Sequence, residues 1–165
     1  MNTIKSIAAW ALFCWTTATF AHENAHHHPA KGPVIKEQKD WGIAGDAKNA
    51  RRTITVSMTD DMRFAPSAIT VQEGETVRLR AQNKGKVLHE IVIGTKAELA
   101  QHAELMKKFP AMEHDEPYMA HVRAGAQGDV VWQFNRAGSF DFACLIPGHF
   151  EAGMTGTITV VPRKP

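Results

Sequence analysis

The segment Phe140-Asp141-Phe142-Ala143-Cys144-Leu145-Ile146-Pro147-Gly148-His149-Phe150-Glu151-Ala152-Gly153-Met154 changes character part-way along. Its first five residues alternate, which puts Phe140, Phe142 and Cys144 on one face of an extended strand. The remainder is a loop in which Pro147 and Gly148 permit a sharp turn. Gly156 to Val161 then reads as another apolar strand. Cys144, His149 and Met154 therefore fall five residues apart on a tight connection between two strands.

Outward from this segment the period of two persists. Ile54, Val56 and Met58 alternate with Thr and Ser, and Ile69 and Val71 follow. Val77, Leu79 and Ala81 alternate with Arg78 and Arg80, while His89, Ile91 and Ile93 share one face, as do Val130, Trp132 and Phe134. Turn chemistry separates the runs at Glu73-Gly74, Lys84-Gly85, Gly125 to Gly128 and Ala137-Gly138. Short alternating strands between such turns predict an all-β fold, a Greek-key β-sandwich. One helix is inserted. Thr95-Lys96-Ala97-Glu98 has the capping-box form, Leu99, Ala103 and Met106 give an apolar stripe with Leu105 and Phe109 nearby, and Pro110 stops it. His102 on this helix reads as a solvated or edge-packed histidine rather than a ligand.

The chain has 165 residues, with 19 Lys+Arg against 17 Asp+Glu. Balanced charge without a basic stripe argues against nucleic acid as a partner. Residues 1–21 read as a secretory signal: Lys5 supplies the positive start, Ile7 to Phe20 the apolar run, and Thr19 and Ala21 the small residues before cleavage. That run is too short for a membrane span. Export to the periplasm is the expectation, and cleavage removes Cys14, leaving Cys144 as the sole thiol. Residues 22–50 show no periodicity and read as a mobile His-rich arm, with Trp41 as a local anchor. Residues 51–165 form the domain.

A lone thiol in an oxidising compartment needs an explanation. His89, Cys144, His149 and Met154 each have an ordinary reading as core or loop residues. Together they form a soft thiolate, two imidazoles and a weak thioether, the donor set suited to copper cycling between Cu(I) and Cu(II). Zinc has little use for the thioether, and a binuclear copper centre would need a second cysteine on the loop. Metal binding also removes the thiol problem, because a coordinated sulfur is deprotonated and shielded. A four-ligand site leaves no open position for substrate, and no serine lies in a nucleophile-elbow motif, so a non-enzymatic protein is expected.

The strands, His89 and the Cys-x4-His-x4-Met loop resemble the cupredoxins, the family of plastocyanin, azurin and rusticyanin, over roughly Arg52 to Pro162. Met62 to Pro66, His89-Glu90, Glu104 to Pro117 and Phe140 to Met154 are similar to small periplasmic copper-tolerance cupredoxins. The resemblance implies one type 1 copper per chain, with His89, Cys144 and His149 equatorial and Met154 axial. It also implies a role in copper tolerance; a one-electron carrier between periplasmic redox proteins is the alternative. Where many electron-carrier cupredoxins have Asn or Ser after the upstream histidine, this chain has Glu90. An ionised carboxylate near the metal favours Cu(II) and lowers the potential.

Further copper-preferring side chains lie outside this set. His22, His26, His27 and His28 form a chelating cluster, read either as a functional copper site or as a solvated tail that binds metal adventitiously. Met112, His114, Met119 and His121 are a candidate auxiliary copper site; the alternative is methionines packed under a loop whose acidic residues face water. Leu145, Ile146, Pro147 and Phe150 are expected to form an apolar patch for docking a periplasmic redox or copper-export protein.

Overall fold

The computed structural model describes residues 36–110 and 114–164. The expected signal segment, His22, His26, His27, His28 and Met112 lie outside the described residues.

Alternation produces the sheets. β2 (Arg52–Thr59), β5 (Glu75–Asn83) and β8 (Gln127–Phe134) each turn every second residue inward toward the core. They form one five-stranded sheet, flanked by β1 (Ile43–Ala44) beside β8 and β3 (Arg63–Ala65) beside β2. The second sheet runs in the order β4 (Ala68–Gln72), β10 (Thr155–Val161), β9 (Gly138–Ala143), β6 (His89–Gly94), β7 (Met119–Val122). β2 pairs with β5, and β10 with β4, in parallel; the other pairings are antiparallel. The inner faces meet in one cluster that includes Met58, Leu79, Trp132 and Phe134 from the first sheet and Ile91, Ile93, Phe142 and Ile158 from the second. This is the expected sandwich, aligned so that one strand end of the second sheet carries the Cys144 loop.

β6 departs from simple alternation, because all six of its residues are buried. The helix α1 (Lys96–Lys108) explains this. It covers the outer face of the second sheet, where Val92, Leu99, Ala103, Met106, Met119, Ala143 and Leu145 form a second apolar cluster. α1 begins with the expected capping box: the Thr95 hydroxyl accepts from the Glu98 N–H, and the Glu98 carboxylate accepts from the Thr95 N–H. Such a cap stabilises the helix by about 1 kcal/mol.

The arm expected over residues 22–50 is shortened by the structure. Ile43 and Ala44 pair with Gln133 and Trp132 as an edge strand, and Trp41 is buried. The Trp41 carbonyl accepts from the Trp132 indole N–H at 2.9 Å, and its ring meets Tyr118 edge-on. The folded unit thus starts before residue 51. The physical reason is that one buried tryptophan fixes a segment whose local sequence has no period of its own.

Candidate metal centre

The loop after β9 is folded back by its own backbone. The Cys144 N–H donates to the Met154 carbonyl at 3.1 Å, and the Met154 N–H donates to the His149 carbonyl at 3.0 Å. Gly148 has φ +90°, the left-handed conformation that a residue without Cβ adopts freely. The backbones of Cys144, His149 and Met154, spaced along the sequence, are thereby drawn together. Cys144 and Met154 are fully buried, and His149 is partly exposed.

His89 enters from β6, on the same inward face as Ile91 and Ile93. Donor atoms of His89, Cys144 and His149 lie within 4.8 Å of one another. The Cys144 Sγ is 3.3 Å from His149 Nδ1, and the two imidazole rings are 5.0 Å apart between centroids.

The electrostatics of this cluster fit a cation. His89 is fully buried, yet its Nδ1 has no hydrogen-bond partner. Its Nε2 lies 3.1 Å from Asp60 Oδ1. A carboxylate only accepts, so Nε2 carries the proton and Nδ1 presents a lone pair to the thiol and to His149. Burial, followed by the neighbouring His89, depresses the His149 pKa and keeps that ring neutral. Burial also pushes the Cys144 thiol up to about 12. A buried lone pair with no donor aimed at it, beside a thiol desolvated without a cationic partner, is the arrangement a soft metal ion completes.

A family model for copper binding proteins, the plastocyanin/azurin family, matches residues 50–161, most of the chain. The chain belongs to this family. Among curated relatives, the cupredoxin is 53% identical over 140 residues to the copper-resistant cuproprotein CopI of Rubrivivax gelatinosus, covering 85% of this chain and 81% of that one. It is 34% identical over 168 residues to the copper-resistant cuproprotein CopI of Pseudomonas aeruginosa, covering 84% and 89%. Among solved structures, the dithionite-reduced auracyanin of Roseiflexus castenholzii superposes with a TM-score of 0.58 at 21% identity, over 68% of this chain and 99% of that one. Copper is the metal this family takes.

Two residues behind the cupredoxin's donor cluster carry much of its geometry. Asp60, in the turn after β2, carries no motif that marks it in the sequence. Besides orienting His89, its carboxylate accepts from the Lys86 N–H at 2.7 Å and the Val87 N–H at 3.4 Å. The Lys86 N–H, ahead of His89, holds its pKa below the usual carboxylate value. Gly85 makes this approach possible, since a Cβ there would fall 1.9 Å from Asp60 Oδ1. Metal-binding histidines commonly give their second N–H to a carboxylate in this way.

Glu90 faces the opposite side of β6 from His89. It is 2% exposed, and its Oε1 accepts from the Leu145 N–H at 2.8 Å, the amide next to Cys144. Its Oε2 is 2.8 Å from His121 Nε2, directly across the β6–β7 pair. The carboxylate thus ties down the cysteine loop, the task performed by Asn or Ser in the cupredoxins that this chain departs from. Glutamine at this position keeps an acceptor for Leu145 and removes the charge. The Glu90→Gln protein is therefore expected to fold normally and to show a higher copper potential in protein-film voltammetry; an unchanged potential would refute the charge effect.

His121 answers the buried carboxylate. The hydrogen bond to Glu90 raises its pKa, with Asp115 adding attraction and desolvation opposing. A raised histidine pKa means that the folded state holds the proton more tightly than the unfolded chain. The stability gained is complete below the unfolded value of about 6.5 and fades as pH rises through the folded one. In the metal-free protein, the difference in unfolding free energy between wild type and His121→Gln is expected to be about 1 kcal/mol in mild acid. It should shrink toward mildly alkaline pH in urea titrations; a difference that grew with pH would contradict the assignment.

The remaining sequence candidates are distributed as follows. Met119 and His121 do share one side of β7, but Met119 is buried in the cluster under α1. His114 meets His102, with 2.9 Å between their Nε2 atoms. In the sequence His102 reads as a solvated or edge-packed helical residue, and only the tertiary fold brings His114 to it. The expected docking patch loses one member. Leu145 points inward and is buried, whereas Val87 and Leu88, just before His89, are exposed. Ile146 and Phe150 are partly exposed and Pro147 exposed. The inward turn of Leu145 follows from its N–H being held by Glu90. No helix among the described residues is long and apolar enough to cross a membrane.

Proposed function

We propose that this cupredoxin is an exported, mononuclear copper-binding protein of copper tolerance, acting in the periplasm. His89, Cys144 and His149 would hold the ion equatorially and Met154 axially. When bound, copper supplies reversible one-electron chemistry between Cu(I) and Cu(II). The protein's own contribution is to present two imidazoles and a desolvated sulfur in a fixed arrangement, so that neither oxidation state must rebuild the site.

The observation that carries this reading is the convergence of His89 Nδ1, an orphaned buried acceptor, with Cys144 and His149. The tolerance role is supported by the two relatives named for copper resistance, each covering more than four-fifths of this chain. One observation favours a second reading, a one-electron carrier: Val87 and Leu88, exposed just before His89, supply an apolar docking edge. The test is a strain lacking the gene, grown in rising copper and complemented with wild type or Cys144→Ser. Loss of growth restored only by wild type supports copper tolerance. Unchanged copper tolerance with loss of a respiratory activity would replace it with the carrier.

A further inference from the structure

Outside the donor cluster around Cys144, the described residues hold a second convergence of imidazoles. His102 projects from α1 and His114 from the segment before β7, with Nε2 atoms 2.9 Å apart and ring centroids 4.9 Å apart. His121 stands edge-on to His114 at 6.5 Å. Both His102 and His114 line a cleft of about 550 Å³ between α1 and the second sheet, which Glu98 and Glu116 also line.

At this distance the two rings share one hydrogen-bonding proton, so one Nε2 lone pair already points at the other ring. His102 is held in the neutral form, its pKa lowered by burial and then by His114. Neutral imidazole is the ligand form of histidine. Metal–imidazole bonds of about 2.0–2.1 Å, set at right angles, separate two nitrogens by about 2.9 Å. An ion replacing the shared proton therefore finds the two donors at a tetragonal spacing, which Cu(II) prefers. Nearby carboxylates, Glu116 in the cleft wall and Glu90 behind His121, offset its charge.

We infer that His102 and His114 form a second copper site, taking Cu(II) on the helix side of the sheet with His121 as the adjacent third imidazole. This assignment does not depend on the ligands proposed for the primary centre. It differs from the grouping read in the sequence by including His102 and leaving Met119 in the apolar cluster. The site lies behind Glu90, which links it through one carboxylate to the amide beside Cys144. One small chain would then hold two copper ions in chemically different settings on the two faces of β6.

The test uses the full chain with His22, His26, His27 and His28 replaced by alanine, loaded with one copper per protein and then titrated with cupric sulfate. A second equivalent is expected to bind and to give an EPR spectrum of non-thiolate Cu(II) with nitrogen splittings. In His102→Ala/His114→Ala its affinity should fall at least tenfold while the visible absorption of the first ion persists. Should that double variant lose the visible absorption, the single variant His102→Gln decides, and it must show the same loss of the second ion. No second equivalent in the parent, or an unaltered one in the variants, overturns the site. A second signal without any thiolate absorption would instead leave this site standing and sink the primary one.

Discussion

Replacing Cys144 with serine is expected to abolish the intense visible absorption of the copper-loaded protein. That absorption requires an electron-rich sulfur bonded to the metal, and Cys144 is the free cysteine among the described residues. Serine is close in size, and its hydroxyl can donate to His149 Nδ1, which lies 3.3 Å from the native sulfur. The core formed by Phe142, Ile91 and Trp132 has no reason to loosen. Copper affinity should nevertheless fall by more than the roughly 10–100-fold that follows loss of an outer hydrogen-bond partner, because a ligand itself is lost. An absorption spectrum and a chelator competition measure both effects. Persistence of the visible bands in the serine protein would remove Cys144 from the centre.

Asp60→Ala is expected to weaken copper binding by about 10–100-fold without touching any donor atom. Alanine leaves His89 Nε2 without its acceptor and frees the Lys86 and Val87 N–H groups from theirs. The ring then loses both its fixed orientation and the carboxylate that places the proton on Nε2. Asp60→Asn separates these contributions. Its amide oxygen can still serve the Lys86 N–H, but its NH2 facing Nε2 would demand the other tautomer, with the proton on the Nδ1 that should face copper. A merely structural role for Asp60 predicts that asparagine restores affinity; the tautomer argument predicts that it does not. Competition titrations of the two variants, with unfolding curves as the control, distinguish them.

The sandwich was legible because its major strands are long enough to show a period. β5, for example, alternates through Val77, Leu79 and Ala81. β1 and β3, with two and three residues, are too short to display one, and they form only because a finished sheet offers them an edge. In the donor cluster, Cys144 and His149 were readable from spacing on one loop, and His89 from its place on an inward strand face. Asp60 was not, since an aspartate in a turn is common and its partner lies 29 residues away. The contact of His102 with His114 was hidden for a related reason. One residue belongs to a helix with its own local logic, and the other to a loop without any, so their meeting depends on how α1 packs.

Because β6 is buried on both sides, with His89 facing inward and Glu90 outward, its register has a consequence for how the gene can change. A slip of a single position would trade imidazole for carboxylate at once, stripping the thiol of its neighbour and leaving the Leu145 amide and His121 unanswered. Insertions and deletions in this strand are therefore forbidden by geometry. Length variation among descendants of this sequence should accumulate in the connections on either side of it instead.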